Sequence, residues 1–185
     1  MSREALVLDV ACGTGDLSLL LFESTGARVV GTDFCRPMLS IAAGKLPNEI
    51  TLVEGDALSL PFKDGTFDAV TIAFGLRNLS DVNSGLKELK RVLKPQGRVA
   101  VLEFSRPSNT VLRTLFGIYF RNVLPLLGGM ISGSLKAYSY LPSSVYRFPD
   151  QEQLASLMEQ AGFDQVSYEN LTGGIAALHL GRRPQ

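Results

Sequence analysis

The sequence has only two cysteines and one histidine in 185 residues, and its eighteen basic side chains are offset by eighteen acidic ones. Cys12 and Cys35 are too few and too far apart for a zinc site. In a reducing compartment they are expected as small buried residues rather than as a disulfide. The balanced charge argues against a surface built to grip nucleic acid, and no nucleic-acid partner is expected. The opening MSREALVLDV lacks an apolar core followed by a small-residue cleavage site, so no export signal is read there and the expected compartment is the cytoplasm. Linkers, repeats and low-complexity tracts are also missing. So is an uninterrupted run of about 20 apolar residues, the length needed to cross a bilayer. The greasiest stretch, Leu112 to Ile131, carries Arg113 and Arg121 and is broken by Pro125 and a glycine pair, which excludes it as a span.

What the sequence does contain is a core: 45% of its residues are hydrophobic and 19% charged, enough for one domain over residues 1–185. Apolar runs alternate with helical patterns. ALVLDVA, ARVVGTD, ITLVEGD, FDAVTIAF and GRVAVLEF read as strands, and the near-continuous Val, Leu and Ile of several of them suits a parallel sheet covered on both faces. DLSLLLFEST, RPMLSIAAGKL and DVNSGLKELKRVLK read as the intervening helices. In the last, Leu86, Leu89 and Leu93 share one face, while Lys87, Lys90, Arg91 and Lys94 are expected on solvated sides. Pro95 and Gly97 stop that helix. Residues 108–148 read as a helical and loop insertion on the substrate side. A helix, PDQEQLASLMEQAGF, and two strands, QVSYEN and GIAALHLG, complete an α/β pattern.

In an open parallel sheet, ligands lie beyond the carboxyl ends of the strands. Strand one ends in Gly13-Thr14-Gly15, strand two in Asp33, and strand three in Gly55-Asp56-Ala57. An acid at the end of strand two can accept hydrogen bonds from both hydroxyls of a ribose, and Asp56 can accept from the exocyclic amine of an adenine. Two nucleoside cofactors fit. A dinucleotide fingerprint wants a third glycine where this chain has Ser18, leaving the pyrophosphate seat incomplete. S-adenosylmethionine has no phosphate, and its sulfonium and amino groups tolerate Asp9 and Asp16 as neighbours, which favours the methyl donor. Asp9 lies within the strand and has two readings, a brace for the turn's backbone or a cofactor contact.

VLDVACGTGDLS, GTDFCRPML, GDALSLPFKDGTFDAVTIAFGLRN, RVLKPQGRVAVLEFS, YSYLPSSVYRFP and GGIAALHLG together resemble the ubiquinone/menaquinone biosynthesis C-methyltransferases, from about Val7 to His179. The resemblance implies a Rossmann-like class I methyltransferase: a mostly parallel seven-stranded sheet with helices on both faces and an antiparallel last strand. It implies S-adenosyl-L-methionine as cofactor and C-methylation of a prenylated quinol, with demethylmenaquinol the expected substrate. The family's cofactor positions map to Thr14, Asp33, Asp56, Ala57 and Ala73, beside the turn glycines Gly13 and Gly15. Cys12 and Gln96 stand where the family often has glycine, and neither change removes a functional side chain. Members usually carry a helical segment ahead of the first strand, and this chain is expected to lack it and the contacts it makes.

Arg77 and Asn78, in FGLRN, follow strand four, where a substrate ring would approach the methyl group. Arg77 is the candidate catalytic group, a cation that favours the quinolate. It cannot be the base, because a guanidinium keeps its proton in proteins. Asn78 and Tyr140 are the candidates for substrate binding, with Tyr138 and Tyr146 as further ring-stacking options. His179 is read as a half-buried strand residue and not as the base. A lipophilic substrate suggests contact with the inner membrane surface, and a homodimer is compatible with the pattern. An NAD-dependent oxidoreductase and a cofactor-binding module without turnover stay open as alternatives.

Overall fold

The computed structural model describes residues 4–107, 144, 145 and 147–185. Their seven strands form one sheet in the order β3-β2-β1-β4-β5-β7-β6. They are β1 (Leu6–Val10), β2 (Arg28–Asp33), β3 (Thr51–Glu54), β4 (Phe67–Ala73), β5 (Leu93–Phe104), β6 (Asp164–Leu171) and β7 (Ala176–Arg182). Strands β1 to β5 pair in parallel, and β7 runs antiparallel to both β5 and β6. Strand order reverses between β1 and β4, the switch point where such sheets bind ligands.

Two cores follow from the layering. Leu8, Val10, Val70, Ile72 and Val101 pack with α3 (Val82–Val92) and α4 (Gln151–Gln160) on one side. Val7, Val29 and Ala69 pack against α1 (Asp16–Thr25) and α2 (Arg36–Lys45) on the other. Helix α4 begins with a capping box between Asp150 and Gln153, which satisfies donors otherwise left open at its first turn.

The expected helix through Lys94 is corrected: α3 ends at Val92, and Leu93 is already extended and paired with Phe67. Pro95 explains the early stop, because proline disfavours helical backbone in the residue before it. The charged face is also corrected. Arg91 is not simply solvated. Its guanidinium donates to Glu88, Asp64 and the carbonyls of Leu60 and Phe62, tying α3 to the loop before β4. Lys94 pairs with Asp68 at 2.8 Å. Cys12 is buried, whereas Cys35 is only half-buried, at the amino end of α2. His179 lies on β7 as expected but is fully buried, its Nε2 2.8 Å from the carbonyl of Gln151, and burial lowers its pKa. The stretch 108–143 and Tyr138, Tyr140 and Tyr146 lie outside the described residues.

Candidate active site

The chain must turn sharply where β1 meets α1. Gly13 (φ 56°) and Gly15 (φ 81°) take left-handed conformations, and Ala11 (φ 53°) does so despite its Cβ. Phe74 at the end of β4 is a second non-glycine with positive φ, 54°. A Cβ added at Gly75 would lie 2.5 Å from the Cβ of Ala11, so the ends of β1 and β4 approach as closely as their backbones allow. Ala11 and Phe74 both lie at the switch point, at the ends of β1 and β4.

Two cavities share Ala11 and Phe74 as walls. The first, about 300 Å³, is lined by Gly13, Asp33, Asp56, Ala57 and Asn78, with Phe34 of the β2–α2 connection and Met38 of α2 at its side. The second, about 380 Å³, is lined by Asp9, Cys12, Asp16, Leu20, Ala73 and Leu102. Most of the cofactor-site candidates therefore fall on one continuous surface. Thr14 and Gly15 line neither cavity; the Thr14 hydroxyl donates to Asp16 at 2.8 Å.

Asp33 is only 7% exposed. Its Oδ2 accepts the Gly13 N–H at 2.9 Å and its Oδ1 accepts the Cys35 N–H at 2.8 Å. Each oxygen keeps a further acceptor position, so the carboxylate can shape the turn and still take ribose hydroxyls. Asp56 is exposed and accepts the Leu58 N–H at 2.9 Å, holding the loop that carries Ala57.

Asp9 ties β1 to α1 and β4 and lines the second cavity. Its carboxylate accepts from Ser18 Oγ at 2.6 Å and Thr71 Oγ1 at 3.0 Å, and burial pushes its pKa up to about 6. The same burial, with Asp9 and Asp33 nearby, pushes the Cys12 thiol up to about 12, which makes it inert. Ser18, where a dinucleotide fingerprint wants glycine, still packs closely. Ser18 is fully buried against the sheet, and the room a third glycine would provide comes from Gly31 on β2, whose added Cβ would meet Cys12 Sγ at 3.0 Å and Ser18 Oγ at 3.2 Å. The phosphate question rests instead on Asp16. This acid opens α1, and Lys45 and Thr14 hold its pKa below the usual carboxylate range. A helix start attracts phosphate through its N–H groups; the Asp16 carboxylate opposes this, and Lys45, 2.6 Å from it, offsets part of that opposition.

Arg77 and Asn78 occupy the 3₁₀ turn after β4 (Leu76–Asn78) and point to different places. Asn78 lines the first cavity. Arg77 lines a neighbouring cleft with Leu79, Val82, Ser144, Arg147, Phe148 and Pro149. The carbonyl of Phe74 accepts from both side chains. Arg77 does not present an unmatched cation: its Nη1 donates to Glu103 at 2.7 Å. Sequence reasoning missed Ala11, Phe34, Phe74, Gly75 and Glu103. The signal for Glu103 was available, an acid inside the apolar run VAVLEF.

Residues 1–183 match the ubiE/COQ5 methyltransferase family. The chain belongs to that family. It is 54% identical over 182 residues to a demethylmenaquinone methyltransferase of Thermus thermophilus, spanning 96% of this chain and 82% of that protein. It is 44% identical over 186 residues to the ubiquinone/menaquinone biosynthesis C-methyltransferase UbiE of Idiomarina loihiensis, spanning 97% of this chain and 74% of that one. Among solved structures, Haemonchus contortus phosphoethanolamine N-methyltransferase 2 in complex with S-adenosyl-L-methionine superimposes with a TM-score of 0.75 at 16% identity, covering all of this chain and 50% of the other. At that identity the likeness establishes the fold alone.

Proposed function

We propose that the protein methylates a ring carbon of a prenylated quinol, demethylmenaquinol, using S-adenosyl-L-methionine. The observation that carries the cofactor is the pair of carboxylates at the second cavity. Asp16 is held ionised, and Asp9, with a pKa of about 6, is mostly ionised at neutral pH. Lys45, paired with Asp16 at 2.6 Å, offsets the charge of that carboxylate, so the buried Asp9 carries most of the preference for a cationic amino acid moiety. In this reading Asp33 accepts from the ribose hydroxyls, Asp56 and Ala57 flank the adenine, and Phe74 and Ala73 separate nucleoside from amino acid. Relatives named for demethylmenaquinone and menaquinone chemistry support the substrate.

When bound, S-adenosylmethionine supplies an electrophilic methyl group and leaves as a neutral thioether. The chain's own residues prepare the acceptor. A phenol with a pKa near 10 is only about 0.1% ionised at pH 7, so donors aimed at its oxygen raise the reactive fraction; the hydroxyl proton and, once the carbon is methylated, the proton of that ring carbon leave to water. Arg77 donates toward that oxygen; Asn78, expected from the sequence as a substrate contact, hangs from the same Phe74 carbonyl and lines the cavity of Asp33 and Asp56, so its role in this reading shifts toward the cofactor. Among the described residues no helix is long and apolar enough to cross a membrane. A membrane-dissolved substrate would instead be met at the inner membrane surface by apolar residues at the site, of which Phe34 is 75% exposed.

Calorimetric titration with S-adenosylhomocysteine and with NAD tests the cofactor, with binding expected for the first alone. Turnover of a short-chain demethylmenaquinol with methyl-labelled cofactor tests the reaction. Label on the ring carbon is the expected result, and binding without label would leave a cofactor-binding module.

A further inference from the structure

Burying an acid in the middle of an apolar strand is unfavourable unless other groups satisfy it. Glu103, next to last in β5, is 1% exposed. Its Oε1 accepts from Arg77 Nη1 at 2.7 Å and from the Phe104 N–H at 2.8 Å, and its Oε2 accepts from the Arg77 N–H at 3.2 Å. Two of these three donors belong to one residue, so Glu103 grips Arg77 at both its backbone and its guanidinium. The same Nη1 donates to the Phe74 carbonyl, and Arg77 Cζ stands 5.1 Å from the centre of the Phe104 ring. Only 11% of the Arg77 side chain is exposed.

A buried ion pair is a weak source of stability compared with an apolar pair of the same size, but it holds its members in one geometry. Here that geometry belongs to a long side chain beside the site. We propose that Glu103 is the positioning residue for Arg77, holding the guanidinium in the orientation in which it meets the quinol oxygen. This inference rests on the role given to Arg77 above. Glu103 lines none of the cavities described and acts through Arg77. Its charge also works against any simple cation effect: losing it leaves the Arg77 charge without its counter-ion, so a purely electrostatic arginine would work better without Glu103, while a positioned one works worse.

Glu103→Gln keeps the shape and removes the charge. The expected result is a fall of at least tenfold in kcat, with the quinol KM and the affinity for S-adenosylhomocysteine within twofold of the parent. In Arg77→Met, adding Glu103→Gln should lower kcat no further and should raise the melting temperature above that of Glu103→Gln alone. Unchanged or faster turnover in Glu103→Gln overturns the proposal, and so does an additive loss in the double variant. If Glu103→Gln does not fold, the parent decides the matter. Nitrogen-15 side-chain spectra should show separate, exchange-protected Arg77 Nη signals, and averaged signals would overturn the clamp. A parent protein that folds and shows the clamp but does not methylate demethylmenaquinol counts against the function and not against the clamp.

Discussion

The carboxylate of Asp33 accepts the backbone N–H of Gly13 at 2.9 Å, tying the end of β2 to the turn that follows β1. One side chain therefore shapes the loop and faces the cavity that the loop borders. Asp33→Ala should lose two backbone hydrogen bonds as well as the ribose acceptor. A fall in S-adenosylhomocysteine affinity of about a hundredfold or more is expected, equivalent to about 3 kcal/mol. The melting temperature should fall with it. Calorimetry on the folded variant checks the first outcome and a thermal scan the second.

Asp9 makes the fold pH-dependent. Burial lifts its folded-state pKa from 3.8 to about 6, so the folded chain holds this proton more tightly than the unfolded chain. The contribution is complete below about pH 4, is lost as pH rises through about 6, and levels off above that. Two pKa units correspond to an upper bound of about 3 kcal/mol. Asp9→Asn should remove this slope and stabilise the protein at pH 7, because the hydroxyls of Ser18 and Thr71 can reverse their donor roles to suit an amide. It should also weaken cofactor binding. Denaturant titrations between pH 4 and pH 8 read the slope, and an unchanged slope in the variant would reject Asp9 as its source.

Gly75 permits the close approach of β1 and β4. Gly75→Ala would bring two Cβ atoms to 2.5 Å, a clash that only backbone movement can relieve. The expected outcome is a loss of about 1–3 kcal/mol in stability and a deformed cofactor cavity. Thermal melts and S-adenosylhomocysteine titration together check it; wild-type values in both would show that the strand ends are free to part.

Arg91 serves the scaffold. Arg91→Ala should cost about 2 kcal/mol, because Glu88 and the carbonyls of Leu60 and Phe62 lose a shared donor. Arg91→Lys should recover little of this, since an ammonium cannot reproduce the planar fork. Cofactor affinity in both variants should stay within twofold of the parent, measured by calorimetry on protein that remains folded.

The sequence by itself determined the alternation of strands and helices, because side-chain periodicity is local, and it determined the glycine turn with Asp33 and Asp56, because strand ends are legible from where apolar runs stop. Its family motifs carried the chemistry. Contacts across the sheet were not legible, since they join residues far apart in the chain. Nothing near Ser18 announces that Gly31 makes room for it, and nothing near Arg91 announces that it reaches across to Leu60 and Phe62. Arg77 and Glu103 stand 26 positions apart, one after β4 and one in β5. Only the parallel register that sets Ala73 beside Leu102 brings their charges together, and so only the tertiary structure could show that the arginine comes to the site already held.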